Sequence, residues 1–249
     1  MGPLSALAIA GAGLAAGTVN TVVGSGSLIT FPTLLAFGYP AVLANVSNTV
    51  GLVPGSASGV VAYRPELAGQ GRRLTVLMVA AALGAVAGAA LLLSLPHETF
   101  RRVVPALILL AVVLVALQPW LSRRLAAHAQ SRPHGGGWLF GLIALVSVYG
   151  GYFGAAQSVI YMALLGSFLR DDLQRLNAAK NVLALTNGVV AAVVFMAATH
   201  VSWSAAGLLA GGAVVGGQIG GFLGRRLRPA FLRLVIIAVG ITAAVVLLV

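Results

Sequence analysis

Hydrogen-bonding side chains lie inside two otherwise apolar runs of this chain. Asn45, Asn48 and Thr49 lie in one run, and Asn177 and Asn181 lie in a later one. A polar group in hydrocarbon is costly unless it is paired or faces a water-filled path. These side chains therefore indicate either hydrogen bonds between helices or a polar pathway across a membrane. The sequence favours the pathway, with these five residues as substrate-binding residues.

Two other apolar runs are interrupted by glycine and small polar residues. The first interruption contains Gly24, Gly26 and Ser27, and the second contains Gly154 and Gln157. A break in a membrane helix exposes backbone N–H groups at the start of the following half-helix, where the helix dipole is positive. Such donors suit a small anion. We predict broken or re-entrant helices at both places, contributing to the same substrate site.

Lys180 is the only charge predicted inside an apolar span. The span begins near Leu173 or Arg175, which places Lys180 roughly 8–10 Å below the helix start. At that depth a lysine can reach back to the interface. The alternative is that Lys180 faces the pathway beside Asn177 and attracts an anion, which makes it a predicted substrate-binding residue.

Other kinds of chemistry find little support. All acidic residues are near predicted loops, so a carboxylate proton relay or cation site is not expected; they are Glu66, Glu98, Asp171 and Asp172. The histidines are isolated and beside loops, at 97, 128, 134 and 200, and cysteine is absent. Neither a metal site nor a cofactor is predicted. Ser25 or Ser27 could serve as a hydrolase nucleophile, but no base is placed within a span, and we predict no catalytic residue.

The composition defines the class of protein that must position these side chains. The chain of 249 residues is 59% hydrophobic and 8% charged, with a mean hydropathy of +1.02. A soluble domain carries roughly 25% charged residues. Most of the net charge of +11 comes from short basic clusters between apolar runs, which is typical of headgroup anchors and not of nucleic-acid binding. We therefore predict an all-α polytopic membrane protein whose partner is the lipid bilayer.

A helical span needs about 20 apolar residues, and the chain has room for eight. The predicted segments are 3–37, 41–63, 74–95, 102–121, 137–168, 175–198, 203–224 and 229–249. The first and fifth are too long for one crossing and contain the two breaks. The prediction is one transmembrane domain over residues 1–249, with about eight transmembrane helices.

The two halves of the chain also repeat. A constant offset pairs Asn45 with Asn177 and Gly84 with Gly216. Matching breaks, asparagines and glycine spacings in the same order predict two four-helix repeats, 3–121 and 137–249. Four crossings in each half would give both repeats one orientation, and a re-entrant segment would invert one of them. Glycines four residues apart predict closely packed helix pairs; they are Gly212, Gly216, Gly220 and Gly224, with Gly84 and Gly88 in the first half.

Three stretches carry a resemblance to a known family. They are GSGSLITFPTLLAFGYPAVLANVSNTVGLVPGSASGVVAYRPEL at 24–67, YGGYFGAAQSVIYMALL at 149–165 and RDDLQRLNAAKN at 170–181. Their order and spacing over nearly the whole chain resemble the TauE/SafE sulfite-exporter family, the sulfonate-uptake permease group. The chain departs from the family pattern at Ala155, Ala156 and Gln157, where further glycines are common.

The resemblance implies a transporter of sulfite, an organosulfonate or a related sulfur oxyanion in a bacterial inner (plasma) membrane. The residues alone indicate only a small, anionic substrate. A membrane scaffold is the alternative, and the intramembrane serine hydrolase is a weaker one. The sequence leaves open whether the chain forms a homo-oligomer.

Overall fold

The computed structural model is helical throughout its described part, which comprises residues 2–127 and 136–224 together with 234, 236–239 and 241. This part contains no strand, which confirms the all-α prediction. A short 3-10 helix follows α3 at Arg64–Leu67. The helices are α1 (Pro3–Val22), α2 (Ser27–Ala36), α3 (Ala41–Ala62), α4 (Gly71–Ser94), α5 (His97–Ala127), α6 (Gly136–Tyr152), α7 (Gln157–Phe168), α8 (Leu173–Ala198) and α9 (Trp203–Leu223).

Five of the described helices are long and apolar enough to cross a membrane. Three shorter apolar helices, α2, α6 and α7, flank the two breaks. The predicted eighth segment, 229–249, lies largely outside the described residues. The multi-pass membrane architecture follows from these lengths, because about 20 apolar residues span the hydrocarbon core.

Both predicted breaks are present. Residues 23–26 separate α1 from α2, and residues 153–156 separate α6 from α7. Gly24 and Gly154 have positive φ angles of 92° and 77°, a conformation that glycine adopts at no steric cost. Ala156 also has a positive φ of 58°, which is uncommon for a residue with a Cβ. The prediction of broken helices is confirmed.

After each break the chain turns back along the helix it has just left. Gly26 lies against the backbone of Ala16, and the turn after α2 lies near Ser5, at the start of α1. In the second half, Tyr161 of α7 meets Ser147 of α6 through a hydrogen bond of 2.6 Å between their hydroxyls. α1–α2 and α6–α7 are therefore helical hairpins, with α2 and α7 as their shorter arms.

Glycine contacts give the directions of the longer helices. Gly212 lies against the carbonyl oxygen of Ala10 and Gly220 against that of Thr18, so α9 is parallel to α1. The contacts that make α3 parallel to α9 are Gly51 with Ala206 and Gly221 with Ala62. At these positions a Cβ would overlap the facing helix. The predicted role of the glycine spacing in close helix packing is confirmed.

A second group of helices runs the opposite way. Gly84 lies against Ala144 and Gly88 against Val148, so α4 is parallel to α6. The start of α8 meets the end of α1, because the Asn177 side chain donates to the backbone carbonyl of Thr21. The start of α8 also lies beside the start of α4, as the contact between Gln70 and Arg175 shows. α4, α6 and α8 are thus antiparallel to α1, α3 and α9.

The helix directions determine how the two halves of the chain are oriented relative to each other. On the predicted repeat offset, α1, α3 and α4 of the first half would match α6, α8 and α9 of the second half. Each corresponding pair runs in opposite directions. Because α2 and α7 turn back at the breaks, the hairpins make the halves antiparallel across the membrane.

Candidate functional site

A cavity of about 70 Å³ lies where the two breaks meet, between the middles of α3 and α8. Gly24 of the first break packs directly against Ser158 of α7, where a Cβ on the glycine would overlap the serine side chain. A volume of this size has room for several water molecules or a small ligand. The lining residues are Asn20, Thr21, Gly24, Ser27, Thr49, Leu52, Val53, Ser56, Gly150, Phe153, Gly154, Gln157, Ser158, Asn181, Ala184, Asn187 and Gly188.

Residues from both halves line this cavity, at positions that the predicted repeat offset pairs. Gly24 and Gly154 face it from the two breaks, and Thr49 and Asn181 face it from α3 and α8. The other corresponding pairs are Asn20 with Gly150, Ser27 with Gln157, Leu52 with Ala184 and Ser56 with Gly188. The site is therefore built from both halves.

The carbonyl end of α1 is capped by three side chains from α8. Asn177 and Asn181 each donate from Nδ2 to the Thr21 carbonyl oxygen at 3.3 Å. The Lys180 ammonium donates to the carbonyl oxygens of Asn20 at 3.3 Å and Thr21 at 3.4 Å. The last carbonyls of a helix have no partner within the helix and carry the negative end of its dipole. A cation and two amides satisfy them here.

The carbonyl end of α6 is capped more simply. Asn45 of α3 donates from Nδ2 to the Tyr152 carbonyl oxygen at 3.1 Å. Asn48, one turn further along α3, accepts a short hydrogen bond from the Thr30 hydroxyl of α2. The asparagines of α3 thus connect it to both hairpins.

The amino ends of α2 and α7 keep unused donors. Among the described residues, the backbone N–H groups of Ser27 and Ser158 have no hydrogen-bond acceptor, and neither do their hydroxyls. The Ser56 hydroxyl and the Asn20 Nδ2 group likewise have none, although Asn20 accepts the Gly26 N–H at 2.7 Å through Oδ1. All four residues line the cavity. The carbonyl ends of α1 and α6 are thus occupied, while the amino ends of α2 and α7 face the cavity with available donors.

The structure separates the predicted site residues into two groups. Those that line the cavity are Gly24, Ser27, Thr49, Gln157 and Asn181. Those that lie behind its wall and hold the hairpins are Gly26, Asn45, Asn48, Asn177 and Lys180. Lys180 is only 1% exposed, so its side chain does not reach back to the interface.

Sequence reasoning missed several lining side chains. Asn20 and Thr21 precede the first break, while Ser56 and Asn187 lie one or two turns beyond the asparagine and threonine positions that were selected. Asn20 and Thr21 lie four and three residues before Gly24, and Ser56 lies seven residues after Thr49, so a shared helix face could have revealed these three. Asn187 lies six residues after Asn181 and gives no such signal.

An ion-pair cluster joins the α7–α8 connection to the start of α4. Asp171 accepts from Arg73 at 2.8 Å and from Arg175 at 2.7 Å. Burial alone would raise the pKa of the Asp171 carboxyl. Hydrogen bonds from Arg73, the Asp172 N–H and Arg175 hold this pKa below its usual value. The cluster lies at one end of the helices, outside the cavity.

The cavity offers nothing for acid–base catalysis by a carboxylate or histidine. None of the described residues that line it is Asp, Glu or His. Ser25, one of the two candidate nucleophiles, is buried with no hydrogen-bond partner for its hydroxyl, so no base activates it.

Two broken-helix hairpins meet around a polar cavity inside a bundle of helices long enough to span a membrane, an arrangement found in membrane transporters. Residues 9–247 match the family described as "Sulfite exporter TauE/SafE". The chain belongs to this family, and it is a multi-pass transporter of a bacterial inner membrane, not an enzyme.

Relatives support the same class. A "Probable membrane transporter protein" of Haemophilus influenzae is 24% identical over 210 residues, which cover 84% of this chain and 80% of that protein. The "Probable membrane transporter protein YfcA" of Escherichia coli is 25% identical over 209 residues, covering 82% and 75% respectively. No solved structure matches the chain.

Proposed function

We propose that the protein transports a small sulfur oxyanion, sulfite or an organosulfonate, through the cavity between the two breaks. The observation that carries this proposal is that the amino ends of two helices face a cavity whose lining contains no carboxylate. Ser27 and Ser158 offer free N–H and hydroxyl donors, while the carbonyl of Thr21 is already satisfied by α8. Sulfite and sulfonate oxygens accept hydrogen bonds and donate none, unless sulfite is protonated. The family description favours the same substrates.

The electrostatic setting supports an anion over a cation. The amino ends of α2 and α7 bring the positive ends of two helix dipoles to the cavity. The negative ends of α1 and α6 are offset by the capping side chains Lys180 and Asn45. All four acidic residues of the chain lie outside the cavity lining. A cation would find only neutral acceptors in the lining, such as the amide oxygens of Gln157, Asn181 and Asn187.

The antiparallel halves suggest how such a substrate would cross. We take residues 3–121 and 137–249 to be inverted repeats. In transporters with this arrangement the site lies at the repeat interface near the bilayer midplane, and one repeat moves against the other. Thr49 and Asn181, at corresponding positions of α3 and α8, would then contact the substrate from opposite sides.

Transport by purified protein in vesicles tests the proposal. Uptake and efflux of sulfite, thiosulfate, taurine and acetate are measured in turn. We expect sulfite or a sulfonate to be moved and acetate to be excluded. Ser27→Ala and Ser158→Ala should each raise the half-saturating concentration about tenfold, as loss of one hydrogen bond to a charged group predicts.

Ser94→Ala is the matched control, because the Ser94 hydroxyl is exposed at the end of α4 and bonds only to its own helix. If Ser27→Ala, Ser158→Ala and the control Ser94→Ala all transport like the parent, the Ser27 and Ser158 hydroxyls do not contact the substrate. Acetate transport at the rate of sulfite would contradict the substrate class.

A further inference from the structure

Lys180 has an unusual environment for a charged side chain. It is 1% exposed, and its ammonium contacts only two backbone carbonyls, those of Asn20 and Thr21. A buried ammonium is costly unless it is paired with a charge. Neutral carbonyls provide hydrogen bonds but no negative charge, so these two contacts supply no counter-ion.

No carboxylate in the described structure supplies that counter-ion. Asp171 is engaged with Arg73 and Arg175. Tyr161 bonds to Ser147 and Gln157. No hydrogen bond or ion pair joins Lys180 to any other titratable or charged group on the elements packed against α8, namely Tyr63, Arg64, Glu66, Arg72, Tyr149, Tyr152 and Asp172.

The ammonium is separated from the cavity by a single layer of backbone. Asn20 and Thr21, whose carbonyls it contacts, both line the cavity, and so does the neighbouring residue Asn181. An anion in the cavity would therefore have only the backbone of Asn20 and Thr21 between it and the ammonium, and it could act as the counter-ion of Lys180.

We infer that Lys180 couples anion transport to proton transport, an inference that rests on the proposed function. When the cavity is empty, the proposed movement of one repeat against the other separates Lys180 of α8 from the α1 carbonyls, and the amine releases its proton to the water that then reaches Nζ. When an anion enters, Nζ takes up a proton from that water and the charges compensate. Anion binding and proton binding favour each other by thermodynamic linkage. One anion and one proton then cross together, and both are released on the other side.

The asymmetry of the halves sets the number of protons. The residue that corresponds to Lys180 in the first half is Asn48, which cannot be protonated and which accepts from Thr30. One lysine serves the single cavity, so each transport cycle moves one proton. Lys180 acts here as a positioning and coupling residue and does not touch the substrate.

Two substitutions separate the charge from the exchangeable proton. Lysine can lose its proton in a buried site, whereas arginine keeps its charge. Lys180→Arg should therefore retain exchange of external for internal anion but lose accumulation driven by a pH gradient. Lys180→Met should raise the half-saturating concentration about tenfold or more, because the positive charge is gone. Arg72→Gln, at an exposed position in the first turn of α4, is the control for loss of a positive charge.

The experiment uses the full chain in vesicles whose exterior is more acidic than the interior. Sulfite, thiosulfate and isethionate are supplied in turn; the last two have no group that gains or loses a proton near neutral pH. Anion uptake and internal pH are recorded together. The parent and Arg72→Gln should accumulate anion and acidify the interior in a one-to-one ratio, and a protonophore should abolish the accumulation.

The outcomes distinguish the two proposals. If the parent transports none of these anions, the proposed substrate class fails and the coupling fails with it. If the parent transports them without acidifying the interior, only the coupling is wrong. The coupling would also be wrong if a folded Lys180→Arg variant accumulated anion to the parent's level under the pH gradient. If Lys180→Arg does not fold, Lys180→Met replaces it in this test. Accumulation of isethionate by Lys180→Met against the isethionate concentration gradient would contradict the coupling in the same way.

Discussion

The two breaks of this transporter share a backbone design but differ in how their carbonyl ends are satisfied. At the first break, the Val23 and Gly24 N–H groups both donate to the Val19 carbonyl. At the second, the Phe153 and Gly154 N–H groups donate to Tyr149 in the same way.

The Thr21 and Tyr152 carbonyls at the two breaks differ in the number of side chains that donate to them. Thr21 at the first break accepts from Asn177, Asn181 and Lys180, whereas Tyr152 at the second accepts from Asn45. The comparison indicates that the halves keep the geometry that forms the cavity, while a charge is placed on one side of it only. The breaks should therefore respond differently to the same substitution.

The largest difference is expected between Gly24→Ala and Gly154→Ala. Both residues have positive φ, which costs a residue with a Cβ about 1–2 kcal/mol. At Gly24 the new Cβ would also overlap the Ser158 Cβ, whereas at Gly154 it would lie 2.9 Å from the Gly150 carbonyl oxygen. Overpacking adds about 1–3 kcal/mol. Unfolding of purified protein in mixed micelles should show Gly24→Ala to be the less stable variant.

A second substitution sharpens this first test. Because the overlap involves the Ser158 side chain, Ser158→Gly in the Gly24→Ala background should recover part of the lost stability. Equal destabilisation by Gly24→Ala and Gly154→Ala, with no recovery in the double variant, would show that the contact between the hairpins does not determine stability.

An intermediate difference is expected between Asn45→Ala and Asn177→Ala. Asn45→Ala leaves the Tyr152 carbonyl without its side-chain donor, which should cost about 0.6–2 kcal/mol in a membrane bundle. Asn177→Ala should cost less, because Thr21 retains Asn181 and Lys180 as donors. Both variants should insert normally and be impaired in transport.

Transport per folded molecule, measured beside unfolding in mixed micelles, checks this prediction. If both variants lose stability equally and keep the parent's activity per folded molecule, these asparagines serve only to join helices.

The smallest difference in stability is expected between substitutions of acidic residues near the two ends of the helix bundle. The α7–α8 connection carries the Asp171 ion pairs, whereas the α2–α3 turn at 37–40 has no charged residue. Ion pairs that are partly exposed contribute about 0–1 kcal/mol. Asp171→Asn should therefore lower the stability slightly, and Glu98→Gln, at an exposed position in α5, should not.

The difference in stability between the parent and Asp171→Asn should change with pH in a defined direction. The pKa of the Asp171 carboxyl is lowered in the folded protein, so its contribution is complete above the unfolded value of about 3.9 and is lost as the pH falls through the folded value. The difference in melting temperature between the parent and Asp171→Asn should be constant at neutral pH and shrink below about pH 3.9. A difference that grows on acidification would contradict this assignment.

The sequence predicted the two breaks that border the cavity. Gly24 and Gly154 mark the breaks because the backbone there needs positive φ, a requirement that is visible in the residue type. Thr49 and Asn181 line the cavity, as polar residues inside apolar spans suggest. Ser56 and Asn187 were missed because one serine or asparagine in a glycine-rich helix gives little signal by itself.

The tertiary structure decided what each polar group contacts and which way each helix runs. Composition and hydropathy determine that the chain is helical and crosses a membrane, because unsatisfied backbone groups are excluded from hydrocarbon. The directions of the halves depend on α2 and α7 turning back, which a run of apolar residues does not reveal. Lys180 and Asn20 are 160 residues apart in the chain. Their contact arises from packing between distant helices, so residue type and spacing alone could not identify the partner of the buried charge.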